Sequence, residues 1–337
     1  MLQKNPTSKN DSELAEIISR LEDRIVLRPN ELQPVVNLLK FLDCQSPHTT
    51  GDGLYSKCQQ ELNTHFLEID INYESLTPTR LIKLVNECRF ILSKFDVNPE
   101  IPVPQIFEGK TNQINDKNTN CKEYIESFFK TDSIKSTCFS CYKVQIIPAD
   151  VVSCMMIYFA MKQVSLPRDN FRKCMIEIRE KVPNPYKGYI FCQSEEEAVI
   201  CLNEMKSVIK KLEITNVICG ISHGCSEYGL KYPEFKYSED GSHRNFNQPK
   251  EWSDAESQTE FIPPNSAVEI FDFSNYEVTL RDVICFDTWI KYAEIIGDLS
   301  YRCFDKLPNE RKYNTFTKRV RKQAGVRQAQ IAELLKR

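Results

Sequence analysis

Hydrophobic positions along the chain change their spacing twice, and the changes separate a helical start, a mixed middle and a helical end. In the first part, apolar side chains recur every three or four residues, which is the spacing of one face of an α-helix. Leu14 to Ile25, Leu32 to Leu42, Leu54 to Phe66 and Leu81 to Phe95 are four such stretches. Residues 1–96 are therefore predicted as a repeat-like or bundled helical region, which could dock a protein partner.

The middle of the chain alternates between strand-like and helix-like spacing. Residues 97–120 are rich in Pro, Asn, Lys and Asp and are predicted to be a linker, because they show little periodicity. Residues 121–227 then open with a short helix and continue as strand, helix, strand, strand, helix, strand. This order predicts an α+β protein whose centre is a ferredoxin-like βαββαβ sandwich with sheet order 4-1-3-2.

The four predicted strands are short runs of alternating apolar and polar residues. They are Cys138 to Ile147, Phe171 to Glu180, Lys187 to Cys192 and Asn216 to Ser222. The first connecting helix is predicted from Pro148 to about Gln163. The second is predicted to start at Ser194, which forms a capping-box pattern with Glu197.

The last third of the chain combines aromatic, irregular and basic segments. Residues 228–265 lose all periodicity and are predicted as an aromatic loop that could cover a face of the sheet. Residues 266–337 are predicted as C-terminal helices. The segment from Arg311 to Arg337 carries nine Lys or Arg and one acidic residue. It indicates a basic helix, weakened at Gly325, that either binds nucleic acid or is an ordinary solvated face.

Composition excludes several classes of protein. The net charge of −3 gives no general attraction to nucleic acid or to anionic membranes. The polar N-terminus lacks the apolar core of a secretory signal. The longest apolar stretch, Val151 to Met161, is too short to span a bilayer. We therefore expect a cytoplasmic protein without membrane contact, in which the 14 cysteines do not form a disulfide framework.

Cysteines gather at one end of the predicted sheet. Cys138 and Cys141 open the first strand, Cys192 ends the third, and Cys225 follows the fourth. Cys174 lies one strand farther out at the same end, and His223 lies two residues before Cys225. Four thiolates, or three with one imidazole, suit Zn²⁺, and four thiolates also suit an iron–sulfur cluster. The pattern predicts a structural metal centre, with ordinary buried thiols or a redox dithiol as alternatives.

Four segments resemble a known family. They are Cys138 to Gln145, Lys173 to Arg179, Tyr186 to Cys192 and Gly224 to Tyr228. Together they are similar to a bacterial cysteine-containing domain of uncharacterised activity that often accompanies tetratricopeptide repeats. The resemblance covers roughly residues 136–237 and implies repeat-like N-terminal helices, although the usual repeat spacing is absent here. It implies no activity.

A second hypothesis concerns the face of the sheet that the helices leave uncovered. Lys187 to Cys192 resembles the RNP1 strand of RNA-recognition motifs, which would present Tyr189 and Phe191 for base stacking. The first strand lacks the matching aromatic, since alternation places Lys143 and Gln145 on this face. The candidate ligand face comprises Lys143, Gln145, Glu177, Arg179, Tyr189 and Phe191.

Catalytic motifs are sparse. Gly220 to Gly224 matches G-x-S-x-G, but the helix and the later Asp and His of a hydrolase do not follow in pattern. No Walker loop, dinucleotide fingerprint or H-E-x-x-H is present. The sequence thus favours a metal-binding scaffold or interaction protein. An RNA-binding protein and a metalloenzyme or redox enzyme are the alternatives.

Overall fold

The computed structural model describes most of the chain in eleven ranges. These are residues 8–28, 31–45, 51–68, 76–95, 97, 105–108, 121–168, 170–235, 248–258, 278–307 and 314–336. Among these residues, no helix combines the length and the apolar character needed to cross a membrane.

Four helices form the N-terminal region, as the periodicity predicts. They are α1 (Ser8–Leu27), α2 (Leu32–Gln45), α3 (Leu54–Glu68) and α4 (Pro78–Ser93). Helix α4 begins with proline, whose missing N–H costs nothing at this position. The Thr77 hydroxyl caps it by accepting a hydrogen bond from the backbone N–H of Arg80 at 3.3 Å.

The central part of the chain is a mixed α/β unit. In chain order it contains β1 (Gln105–Glu108), α5 (Cys121–Thr131), β2 (Tyr142–Pro148), α6 (Val151–Gln163), β3 (Arg172–Ile176), β4 (Tyr186–Cys192), α7 (Glu195–Lys211) and β5 (Val217–His223). The strands form one antiparallel sheet in the order β1-β3-β4-β2-β5. The predicted α+β class is confirmed.

The sheet differs from the predicted one at its edge. It has five strands rather than four, because β1 pairs with β3 along Gln105–Glu108. This strand lies inside the segment that we predicted to be a linker. Four residues are too few to show a period in the sequence, and the pairing partner is more than 60 residues away, so the prediction had no local signal to use.

Two helices cover one face of the sheet. Val144, Ile146 and Ile190 point to this side and are fully buried beneath α6 and α7. Helix α6 is apolar around its whole circumference, because its other side packs against α4 and against a later helix, α10 (Leu280–Ile296). Helix α10 also contacts α2 and α3. The N-terminal helices and the sheet therefore share one hydrophobic core.

The predicted aromatic loop contains short helices where the structure describes it. These are α8 (Ser226–Lys231), a 3-10 turn at Pro233–Phe235 and α9 (Lys250–Gln258). Tyr228 and Phe235 pack with Phe128 of α5 and with Cys138 in a second, smaller apolar cluster. The prediction of one irregular loop is wrong for these residues, and the rest of residues 228–265 lies outside the described ranges.

The basic C-terminal segment is two packed helices rather than one. They are α11 (Asn314–Arg321) and α12 (Ala324–Leu334). Phe316 and Val320 of α11 are buried, as is Arg327 of α12, which is 1% exposed. The Arg327 guanidinium donates to the carbonyl oxygens of Val182 and Arg179, both at 2.8 Å. At least one cation of this segment is thus a structural side chain.

The start of α7 gives a stability prediction. The Ser194 hydroxyl accepts a hydrogen bond from the backbone N–H of Glu197 at 3.2 Å, as the capping pattern predicts. We expect Ser194→Ala to lower the free energy of unfolding by ~1 kcal/mol, because one orphan N–H of the helix loses its acceptor. Urea denaturation measures this change. Ser207→Ala, at an exposed site in the same helix, should change the free energy of unfolding by only a few tenths of a kcal/mol.

Candidate anion-binding site on the second face of the sheet

The second face of the sheet, turned away from α6 and α7, is rich in lysine and aromatic residues. Residues paired across antiparallel strands point to the same side. Pairing places on this face Lys143 and Gln145 of β2, Lys173 of β3, Tyr189 and Phe191 of β4, and Gly220 and Ser222 of β5. Alternation in the sequence gives the same orientation for Lys143, Gln145, Tyr189 and Phe191.

Lys143 is the central residue of this face. Its side chain is 7% exposed, and its Nζ atom lies 5.0 Å from the centre of the Tyr189 ring. In the described part of the chain, no carboxylate lies within ion-pair distance of this ammonium group. A ring face offsets only part of the desolvation cost of a buried cation that has no ion-pair partner.

The charge of Lys143 is nevertheless retained. Burial acts to lower the pKa of this lysine, but the Cys225 thiol, the Tyr189 phenol and the Glu227 carboxylate around it outweigh burial, and the pKa is raised. Lys143 is therefore a cation at neutral pH.

Lys173 adds a second positive charge beside the same ring. Its Nζ atom lies 5.5 Å from the centre of the Tyr189 ring and 5.7 Å from that of Phe191. Burial, and then the charges of Lys143 and Arg179, lower the pKa of Lys173 to about 8. Two ammonium groups thus flank Tyr189 from neighbouring strands, and each disfavours the charge of the other.

A separate ion-pair network lies along the same face. Glu177 is fully buried; it accepts from Nε and Nη2 of Arg179 at 2.8 and 2.7 Å and from Nζ of Lys187 at 3.0 Å. Burial acts to raise the pKa of Glu177, but the hydrogen bonds from Arg179 outweigh it and lower the pKa. Arg179 also pairs with Glu227 of α8. Both carboxylates of this network are bonded to Arg179 or Lys187, and neither forms an ion pair with Lys143.

The carboxylates nearest Lys143 already have partners. Glu177 is bonded to Arg179 and Lys187, and Glu227 is paired with Arg179. Within the described ranges Lys143 therefore forms no ion pair of its own, and an unpaired charge in a low-dielectric environment attracts an ion of the opposite sign.

Three of the predicted metal ligands do meet beside this face. Cys141 precedes β2, and its carbonyl oxygen accepts from the backbone N–H of Gly224 at 2.8 Å, which brings Cys225 alongside. The Sγ atom of Cys138 lies 3.5 Å from the hydroxyl of Tyr228. Burial raises the pKa of Cys138 to about 12 and that of Cys141 to about 11. Both are therefore neutral thiols at physiological pH.

Cys192 and Cys174 lie on the opposite face of the sheet. Cys192 pairs with Tyr142 and shares the side of Ile190, where its thiol faces Cys201 of α7. Cys174 donates to the sulfur of Met161 in α6 at 3.5 Å. The predicted four-cysteine centre is not assembled. The prediction considered which end of the sheet each strand reached, but not which face each side chain took.

His223 is also engaged elsewhere. Its Nδ1 atom lies 2.9 Å from the carbonyl oxygen of Phe235, and its Nε2 atom lies 2.8 Å from that of Phe139. Its ring stacks on the Phe235 ring with centroids 4.3 Å apart. With both nitrogen atoms bonded to carbonyl oxygens, the imidazole has no lone pair directed at a metal. Among the described residues, no group of three or more His, Cys, Asp or Glu side chains is arranged to hold a metal ion.

Two other sequence patterns have a structural explanation. Tyr189 is 3% exposed and already contacts two ammonium groups, so a nucleic-acid base cannot stack on it in this arrangement. Ser222 of the G-x-S-x-G match lies inside β5 without the positive φ of a strained elbow, which occurs only at Gly224 (φ +58°) in this segment.

Lys173 is a residue of this face that is absent from the predicted ligand face. It lies four residues before Glu177, so the alternation that places Glu177 and Arg179 on the second face places Lys173 there too.

Comparisons with family models, with curated proteins and with solved structures each give no match for this chain. The resemblance stated from the sequence therefore stays a prediction.

Proposed function

We propose that this protein binds a compact anion, of the phosphate class, on the second face of its sheet. The observation that carries the proposal is Lys143, a cation nine-tenths buried with no carboxylate within ion-pair distance in the described ranges. Burying an unpaired charge lowers stability, unless a ligand supplies the opposite charge. Lys173 beside it favours a ligand that carries more than one negative charge.

A phosphate group suits this geometry better than the other ligands that the sequence suggested. It is small enough to enter a largely buried site, and it accepts charge-assisted hydrogen bonds from several ammonium groups at once. A thiolate metal centre has less support, because Cys174, Cys192 and His223 have other partners. An RNA strand has less support, because Tyr189 is covered and its ring is not available for base stacking.

The test is a calorimetric titration of the full chain with inorganic phosphate, pyrophosphate, sulfate, Zn²⁺ and a single-stranded oligonucleotide. We expect saturable binding of phosphate and pyrophosphate, with pyrophosphate the tighter because it carries more charge. The oligonucleotide should show no saturable binding. Binding of Zn²⁺ alone, or of the oligonucleotide alone, would contradict the proposal and favour one of the two alternatives.

The affinity for the anion should depend on pH through Lys173. An anion binds the protonated lysine, so affinity is complete below the pKa of about 8 and falls as the pH rises through it. Linkage of one proton predicts a loss of ~10-fold between pH 7 and pH 9. Sulfate is the ligand for this measurement, because its own charge is constant over the range.

A matched variant distinguishes the contribution of Lys173 to this pH dependence from that of Lys187. Burial also lowers the pKa of Lys187 to about 8. In Lys173→Met, sulfate binding should be weaker at pH 7 and nearly independent of pH up to 9. If the pH dependence survives in this variant, another group controls it and the assignment to Lys173 is wrong.

We also infer that β2 to β5 with α6 and α7 form a ferredoxin-like sandwich carrying β1 as an added edge strand. The element order and the relative order of these four strands support this reading. Its relevance to function is that such a sandwich leaves one sheet face free of helices, and the lysines lie on that face.

A further inference from the structure

Cys225 is a partly exposed thiol at the point where β5 ends and α8 begins. The chain turns at Gly224, which has a φ angle of +58°, so Cys225 leaves the line of the strand. Two other cysteines at this end of the sheet, Cys138 and Cys141, are buried. A dissolved reagent therefore reaches the sulfur of Cys225 more readily than the sulfur of either neighbour.

Cys141 lies beside Cys225 at the start of the neighbouring strand. The carbonyl oxygen of Cys141 accepts from the backbone N–H of Gly224 at 2.8 Å, which continues the pairing of β2 with β5 by one position. Paired residues of antiparallel strands have Cα atoms about 4.5–5.5 Å apart, and a disulfide joins Cα atoms about 4.4–6.8 Å apart. Because Cys225 directly follows the partner of Cys141, the two backbones have the separation that a disulfide bridges.

Lys143 indicates that the two sulfur atoms lie on the same side of the chain. Burial acts to lower the pKa of Lys143, and the groups that raise it are led by Cys225 and include Cys141. Both thiols are therefore close to one ammonium group. A neighbouring cation favours the thiolate form of a cysteine, which is the form that attacks a disulfide.

The third thiol of this end, Cys138, is bonded to another group. Its Sγ atom lies 3.5 Å from the hydroxyl of Tyr228, and both side chains belong to the second apolar cluster. Within the described ranges the Cys141 thiol forms no hydrogen bond. It can therefore turn towards Cys225 without breaking one.

We propose that Cys141 and Cys225 are a redox-active pair that forms a reversible disulfide by exchange with glutathione disulfide. The thiolate of Cys225 attacks one sulfur of glutathione disulfide, which gives a mixed disulfide and releases one glutathione. The Cys141 thiol then loses its proton, attacks the sulfur of Cys225 and releases the second glutathione. Two protein thiols are oxidised, one glutathione disulfide is reduced, and the two protons pass to the departing glutathione sulfurs.

The test is incubation of the native full chain with an excess of glutathione disulfide. The remaining thiols are then alkylated under denaturing conditions, and the peptides are mapped by mass spectrometry. We expect most molecules to carry one internal disulfide, which joins Cys141 to Cys225. Dithiothreitol should reverse it.

Three variants separate the roles of the cysteines. In Cys225→Ser, the Cys141 thiol should stay reduced, because it is buried and reacts only through Cys225. In Cys141→Ser, glutathione should remain on Cys225 as a mixed disulfide, because the second attacking thiol is missing. Cys303→Ser is the control, since it removes an exposed thiol elsewhere and should leave the internal disulfide unchanged.

Mapping of the wild-type chain is decisive even if a variant does not fold. A wild-type chain whose Cys141 stays reduced would overturn the proposal, whether Cys225 is unmodified or retains glutathione. A disulfide between Cys225 and Cys138 would overturn the assignment to Cys141. Each of these outcomes is independent of the anion site, because phosphate binding requires Lys143 and Lys173 but no thiol.

Discussion

Replacing Lys143 with methionine should weaken phosphate binding by ~30-fold or more and should not destabilise the free protein. The loss of affinity is expected because Lys143 is the buried charge without an ion-pair partner in the described ranges, and removing one side of a buried charge pair costs several kcal/mol of binding free energy. The free protein should be at least as stable as the wild type, because methionine fills a similar volume without a desolvation cost.

This opposite response of affinity and stability is the signature of a ligand-binding cation. Isothermal calorimetry gives the affinity, and urea denaturation without ligand gives the free energy of unfolding. Lys210→Met, at an exposed position of α7, serves as the control and should change neither. A marked loss of stability in Lys143→Met, with affinity unchanged, would mean that Lys143 is structural.

The second large effect is expected at Glu177. Glu177→Gln should lower the free energy of unfolding by ~3–5 kcal/mol at pH 7, because the buried ammonium of Lys187 and the guanidinium of Arg179 lose their shared carboxylate. The difference from wild type should shrink at acid pH. A carboxyl whose pKa is lowered on folding contributes stability above its unfolded pKa and loses it as the pH falls through the folded value.

Denaturation curves at pH 7 and pH 4 measure this pair of effects. Glu180→Gln is the matched control, since Glu180 lies three residues along the chain and is exposed. Its effect should be within ~0.5 kcal/mol at both pH values. If Glu177→Gln lowers the free energy of unfolding no more than Glu180→Gln does, the ion pairs of Glu177 with Arg179 and Lys187 do not stabilise the fold.

Local periodicity was sufficient for much of the fold. The four N-terminal helices, α6, α7 and the four strands β2 to β5 follow from the spacing of apolar residues along each element. Alternation in β2 and β4 also placed Lys143 and Tyr189 on the face away from the helices. These are properties of neighbouring residues, which the sequence displays directly.

The failures concern contacts between distant segments. Cys192 reaches the predicted end of the sheet, yet its parity along β4 is that of Ile190, so it faces α7 rather than Cys141. His223 lies beside the thiols, yet two backbone carbonyls occupy its nitrogen atoms. Neither fact follows from the spacing between cysteines. Both depend on the face of the sheet that a side chain occupies and on the groups that lie next to it in the folded chain.

The basic C-terminal segment shows the same limit. Its charge suggested a solvated or nucleic-acid-binding helix, but Arg327 donates to carbonyl oxygens of the segment that follows β3. The sequence alone does not distinguish an arginine that donates to buried carbonyl oxygens from one that faces solvent. The distinction depends on the contact between α12 and residues almost 150 positions earlier in the chain.

The most direct measurement is a crystal structure of the full chain soaked with tungstate, an anomalous scatterer of the same shape and charge as a phosphate dianion. We expect the strongest anomalous peak within ~3–4 Å of the Lys143 Nζ atom, with Lys173 as a second contact. The peak should be absent in Lys143→Met crystals soaked in the same way. A second face without bound tungstate, while peaks appear only at exposed lysines, would contradict the anion site.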